Sequence, residues 1–190
     1  MSNRSHLPRV ENLDETTLVA AAARGDRVAF DELVRRHQQE VFTLAVRLLG
    51  NHEMAADVAQ DALIRAWRHL GSFRGEAAFS TWLHRITVNT AWSARHRARR
   101  ITTTDIDLVE HELPGVDHVA IAGESLRIRE AFRRALARLT PGARAVVVLK
   151  DVYGWSHAEV AESLGISVTA AKVRLHRART ALQRMLEDER

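Results

Sequence analysis

The chain has 190 residues, a formal net charge of +4 and no cysteine. That length predicts one or two small domains, and the missing thiols exclude disulfides and thiolate metal sites. The ten histidines are scattered, with no His-x-x-x-His or Glu-x-x-His pair, so neither a metal nor a cofactor is expected.

Residues 1–13 read as a flexible N-terminal tail, polar and without the apolar core of a signal peptide. Asp14 or Thr16 can cap a first helix that Gly25 ends. A second begins near Asp26 and carries Phe30, Leu33, Val34, Val41, Leu44, Ala45, Leu48 and Leu49 on one stripe. Gly50-Asn51 closes it. A third spans about Met54 to Leu70, with Val58, Ala59, Ala62, Leu63, Ala66, Trp67 and Leu70 as its apolar set. Its outer face shows Asp57, Gln60, Asp61 and Ile64.

A loop over 71–80 contains Arg74-Gly75, which can shape a pocket for a flipped base or form an ordinary glycine turn. The helix after it packs Phe79, Trp82, Leu83, Ile86 and Thr90. Its other face carries Arg85, Val88, Asn89, Trp92 and His96. No acid occurs from Ala77 to Thr104, whereas Arg85, Arg95, Arg97, Arg99 and Arg100 all fall inside. These arginines read as phosphate contacts or as a basic helix end that complements its dipole. A tryptophan beside arginines can stack on an unpaired base; the alternative is that Trp92 packs under the tail or another domain.

Residues 101–124 hold six acids and neither Lys nor Arg, and Pro114-Gly115 marks a turn. They read as an acidic linker between two domains. From Ser125 the helical pattern resumes through Leu126, Ile128, Ala131, Phe132, Ala135, Leu136 and Leu139. Thr140-Pro141 is an N-cap followed by proline at the first helical position, and the helix it starts runs to about Tyr153. Ser156 and Glu159 form a capping box. Gly165 can end that short helix in the left-handed conformation, and Ser167 can cap the next.

This last helix is expected to bury Val168, Ala171, Leu175, Ala178 and Leu182. The opposite face carries Thr169, Ala170, Val173 and Arg177, flanked by Lys172, Arg174 and His176, and no acid occurs between Glu162 and Glu187. Two helices, a glycine turn and a basic second helix describe a helix-turn-helix. A solvated helical hairpin is the plainer alternative, but a solvated face normally mixes signs. Val173 can meet a thymine methyl, and Arg177 can reach guanine or phosphate. The whole pattern is all-α: two small helical domains joined by a flexible acidic linker. No apolar run approaches the roughly 20 residues that span a membrane, so a cytoplasmic protein is expected.

Several motifs resemble the extracytoplasmic-function group of bacterial sigma factors. In the first domain they are Asp57-Val58-Ala59-Gln60-Asp61, Phe73-Arg74-Gly75, and Phe79-Ser80-Thr81-Trp82-Leu83 running on to Ile86 and Asn89. In the second they are Leu139-Thr140-Pro141, Gly154-Trp155-Ser156-His157-Ala158-Glu159-Val160-Ala161, and Lys172-Val173-Arg174-Leu175-His176-Arg177-Ala178-Arg179. Ser93, Trp92 and Ala170-Ala171 depart from the family's commoner residues.

The resemblance implies a dissociable promoter-specificity subunit of RNA polymerase and not an enzyme. It implies a region 2 domain over 14–100, a linker over 101–124 and a region 4 domain over 125–190. The minus-ten element and its melting would fall to Arg74, Gly75, Arg85, Asn89, Trp92, Arg95, His96 and Arg99. The minus-thirty-five element would fall to Thr169, Ala170, Lys172, Val173, Arg174, His176 and Arg177. Asp57, Gln60, Asp61 and Ile64 would meet the polymerase. The implied partners are core RNA polymerase through its clamp and flap, promoter DNA and an anti-sigma factor. The alternative is a one-component regulator whose N-terminal bundle senses a ligand or dimerises.

Overall fold

The computed structural model describes residues 10–101 and 123–188, and among them only helices and turns occur. The expected linker therefore lies almost wholly outside the described residues. Helices α1 (Glu15–Ala23), α2 (Arg27–Leu49), α3 (His52–His69) and α4 (Phe79–Ile101) form the N-terminal half. Helices α5 (Gly123–Arg138), α6 (Pro141–Val147), α7 (His157–Leu164) and α8 (Val168–Glu187) form the C-terminal half.

Side-chain caps fix where the helices begin. The Asp14 carboxylate accepts the Thr17 amide at 2.9 Å, Asp26 accepts those of Val28 and Ala29, and Asn51 accepts that of Met54 at 2.8 Å. Each satisfies a donor that has no partner inside its helix. Gly50 ends α2 with φ at +70°, a conformation open to glycine at little cost. Of the expected tail, Val10–Asn12 forms a 3-10 turn. The Arg36 guanidinium ties it down by donating to the carbonyls of Glu11 and Leu13, each at 2.9 Å.

Two apolar clusters hold the described residues together. The first lies inside the N-terminal bundle and joins Leu18, Leu33, Val41, Leu70, Phe79 and Leu83. On α3 the inward residues are mostly small, Ala59, Ala62 and Ala66 among them, which lets α3 approach closely. The second cluster crosses between the halves. Leu44, Leu48, Val58, Val88 and Ala91 meet Leu136, Val146, Leu149, Trp155, Leu164, Leu175 and Leu182. Helix α4 is thus packed on two sides. Val88, expected on an outer face, is fully buried, because the face opposite the first cluster is covered by the C-terminal half. Val168 and Ile128, expected inside, are exposed at 42% and 65%.

After Val147 the chain widens into a π turn over Val148–Val152. The Trp155 amide donates to the Leu149 carbonyl at 3.0 Å, which turns the chain toward α7. Arg144 is buried at the end of α5. Its guanidinium donates to the carbonyls of Leu136, Ala137 and Leu139 at 3.0, 2.8 and 3.3 Å. A cation there complements the helix dipole. Burial, and then the nearby Arg95, lower its pKa to about 10. The same guanidinium lies against Gly50, where an added Cβ would sit 2.1 Å from Nη1. No side chain larger than hydrogen fits at 50 unless Arg144 moves.

Candidate nucleic-acid interface

The C-terminal interface is built by two caps and a glycine. The Ser156 hydroxyl accepts the Glu159 amide at 3.2 Å while the Glu159 carboxylate accepts the Ser156 amide at 2.8 Å. Gly165 turns with φ at +65°, and the Ser167 hydroxyl accepts the Ala170 amide at 3.1 Å to start α8. Helix α8 then buries Ala171, Leu175, Ala178 and Leu182. Thr169, Lys172, Val173, His176 and Arg177 are exposed along one side. Val173 is 46% exposed, an apolar side chain in water between basic neighbours. Ala170 is half-buried. Arg174 is also half-buried, its guanidinium lying where a Cβ on Gly142 would be 3.0 Å away. It is folded back toward α6, unlike Arg177. Arg179 is paired with Asp151, which the sequence pattern does not reveal.

The residues expected at the N-terminal interface lie on α4 and the loop before it. Arg74 and Gly75 are exposed at the loop tip, Gly75 with φ at +71°. Phe79 is buried, and Trp82 packs against it and Phe73, as the apolar stripe predicts. Asn89 is exposed. Trp92 is half-buried against the cluster shared by the two halves, with the His96 ring edge-on at 5.9 Å. Of the two expectations for Trp92, packing against another domain is the one seen: it packs against the C-terminal half and lines a cleft. That cleft, about 870 Å³, has Asn89, Trp92 and Arg95 on one wall and Gly165, Ile166 and Arg174 on the other. Arg85 pairs with Glu159 of α7 at 2.6 Å. The Ser156 amide and hydroxyl, and then Arg85, hold the Glu159 carboxyl below the usual carboxylate range. The Arg99 side chain lies outside those described.

A second polar seam lies beside this one. His84 is buried, its Nε2 3.0 Å from the Glu40 carboxylate. The Tyr153 ring sits edge-on to it at 5.0 Å, and the Tyr153 hydroxyl accepts from Arg47 at 3.3 Å. Glu40 also faces His37, whose other ring nitrogen is 2.9 Å from Glu15. Burial holds His84 below the usual imidazole range, against the pull of Glu40. Sequence spacing does not reveal this pairing, since His84 and Glu40 lie on different helices.

The third surface is on α3. Asp57, Gln60 and Asp61 are exposed, and Ile64 is 40% exposed beside them. Ala55, Val58, Ala59, Ala62 and Ala66 are buried behind. Among the described residues no cluster of acids and histidines is placed to hold a metal ion, and no helix is long and apolar enough to cross a membrane.

Known proteins resemble this chain along most of its length. Residues 33–101 match Sigma-70 region 2, and residues 129–182 match Sigma-70 region 4. The ECF RNA polymerase sigma factor SigM of Mycobacterium tuberculosis is 40% identical over 172 residues, covering 90% of this chain and 84% of that protein. The ECF RNA polymerase sigma-E factor of Escherichia coli is 34% identical, covering 93% of this chain and 96% of that protein. Among solved structures, CnrH in complex with the cytosolic domain of CnrY is 30% identical with a TM-score of 0.58, covering 93% of this chain and 99% of CnrH.

Proposed function

The chain belongs to the extracytoplasmic-function sigma factors of bacterial RNA polymerase, and from that membership we propose how its surfaces divide the work. The family function is to direct core polymerase to promoters, recognise the minus-thirty-five and minus-ten elements and promote melting. A one-component regulator is not favoured, because the family match takes in both halves of the chain.

The observation that carries the assignment is the exposed, acid-free side of α8, held out by the capped turn before it. Thr169, Lys172, Val173, His176 and Arg177 lie along the upstream element, with Ala170 allowing close approach and Arg174 at the edge. A helix presenting small and basic residues fits the major groove. On α4, Asn89 and Trp92 take bases of the minus-ten element. Arg74 and Gly75 at the loop tip, with Arg85, Arg95, His96 and Arg99, hold its backbone. Melting without a nucleotide cofactor needs binding energy that only the open strand supplies, and stacking on an aromatic ring supplies it. Asp57, Gln60, Asp61 and Ile64 dock on the polymerase clamp. The division runs 14–100 for region 2, 101–124 for the linker and 125–190 for region 4.

Two further readings follow from membership. The protein works in the cytoplasm as a binding factor without catalysis of its own. It also has a protein antagonist, an anti-sigma factor, a reading supported by the capture of CnrH with the cytosolic domain of CnrY. The test is run-off transcription with core polymerase on genomic fragments, followed by start-site mapping. Specific starts that need both proteins are expected. Failure to bind core polymerase on gel filtration would sink the reading.

A further inference from the structure

We propose that the open cavity between α2, the start of α4 and the turn before α7 is a binding site for a small phosphorylated molecule of about nucleotide size. The cavity holds about 740 Å³, a volume that suits an organic ligand. Three sets of hydrogen-bond donors converge on it.

Thr43 supplies the first. It is 6% exposed, it lines the cavity, and its hydroxyl has no hydrogen-bond partner. A threonine inside a helix commonly returns its proton to the carbonyl four residues before it. Thr87 and Thr90 on α4 do so, at 2.9 and 2.7 Å. Thr43 does not, and a buried hydroxyl left unpaired is destabilising. An acceptor oxygen in the cavity satisfies it. Arg47 supplies the second set. It lies one turn beyond Thr43 on the same face of α2. Its planar fork carries five N–H donors, of which Nη1 reaches the Tyr153 hydroxyl at 3.3 Å. Among the described residues no carboxylate pairs with it. The start of α4 supplies the third. Ser80 and Thr81 line the cavity from its first turn, where the amides have no acceptor inside the helix. Ala78, just before, has no side-chain oxygen to cap them.

The acids on the same walls are already engaged. Glu40 faces His84 at 3.0 Å, and Glu159 is held by Arg85 and the Ser156 amide. The unused valence of the cavity is therefore made of donors. A phosphoryl group presents several strong acceptor oxygens, and a helix start beside an arginine fork suits it. A planar carboxylate cannot reach donors on two helices as well. A bare phosphate would fill a small part of the space. Val152 and Trp155 line the rest and offer an apolar wall to the organic part. Because the walls come from both halves of the chain, the ligand holds them together by mass action.

Calorimetric titration of the full chain at constant ionic strength tests this, with adenosine diphosphate and inorganic pyrophosphate as probes. Adenosine diphosphate should saturate a single site. Thr43→Val nearly keeps the side-chain shape and removes the hydroxyl, while Arg47→Ala removes the fork. Each should weaken binding about tenfold. The nucleotide should also raise the thermal midpoint of the parent more than that of Thr43→Val. Pyrophosphate should bind more weakly than the nucleotide. Absence of saturable binding, or equal affinity in parent and Thr43→Val, overturns the site. Pyrophosphate that binds as tightly as the nucleotide overturns the ligand's size. Binding lost in Arg177→Ala and kept in both cavity variants places the phosphate on α8 and overturns the proposal.

Discussion

Arg177 and Lys172 are exposed neighbours on α8 with different expected roles. A base contact gives direction-specific hydrogen bonds, so Arg177→Ala should cost about 1–3 kcal/mol at the preferred promoter and relax its sequence preference. A phosphate contact gives charge alone. Lys172→Ala should weaken all sequences alike and reduce the salt slope by about one. Titrations at several salt concentrations separate the two, and unchanged slopes in both variants exclude this face. Arg144 makes a different kind of prediction. It carries three carbonyls at the end of α5, and hydrogen bonds from a charged donor are worth about 1.5–3 kcal/mol when lost. Arg144→Ala should lower the thermal midpoint clearly, whereas Arg179→Ala, at an exposed ion pair with Asp151, should shift it little. Glu32 is likewise held by neighbours: Arg35, and then Arg36, draw its carboxyl down to about 2. Its contribution is present above the ordinary carboxylate range and fades as pH falls toward 2.

At the level of elements, α3 and α4 show what a helical pattern tells and what it leaves out. Helix α3 has one apolar side, and its outward residues are those expected from spacing. Asp61→Arg should therefore abolish co-elution with core polymerase while leaving the unfolding curve nearly unchanged; binding that survives the reversal makes this a solvated face. On α4, Trp92→Ala and Asn89→Ala should keep polymerase binding and lose opening of linear duplex promoter. A pre-opened bubble should rescue transcription in part. The caps at Asp14, Ser156 and Ser167 were legible because each satisfies a local donor within a few residues. So was the left-handed Gly165. Val88 was not legible: on one helix wheel it opposes Phe79 and Leu83, and only the arrival of a second domain buries it. The surroundings of the buried His84 and Arg144 were hidden for a related reason. Their partners come from other turns and other helices, and composition does not list who meets whom.

The molecule as a whole should be pH-sensitive through its seam. His84 is held below the ordinary imidazole value first by burial, while Glu40 acts the other way and His37 adds to the lowering. A separated or unfolded form that exposes His84 binds its proton more readily. The docked form is then fully favoured above about pH 6.5 and loses ground as pH falls through that value and below. His84→Gln should flatten this dependence between about pH 7.5 and about pH 5.5. Unfolding followed by calorimetry at the two pH values checks it, and equal slopes in parent and variant rule it out.

The ties across that seam also join distant parts of the chain: Arg85 to Glu159 and Arg47 to Tyr153, 74 and 106 positions apart. Contacts of such long reach form late, because the intervening chain must first exist and then close. On the ribosome, α1 to α4 emerge while α5 to α8 are still unmade, and at about 5–20 residues per second that interval lasts on the order of 5–20 s. Through it, Asn89 and Trp92 have nothing to lie against. Every newborn copy therefore passes through a brief period with that side of α4 bare, and a message cut short after Ile101 would leave it so for good.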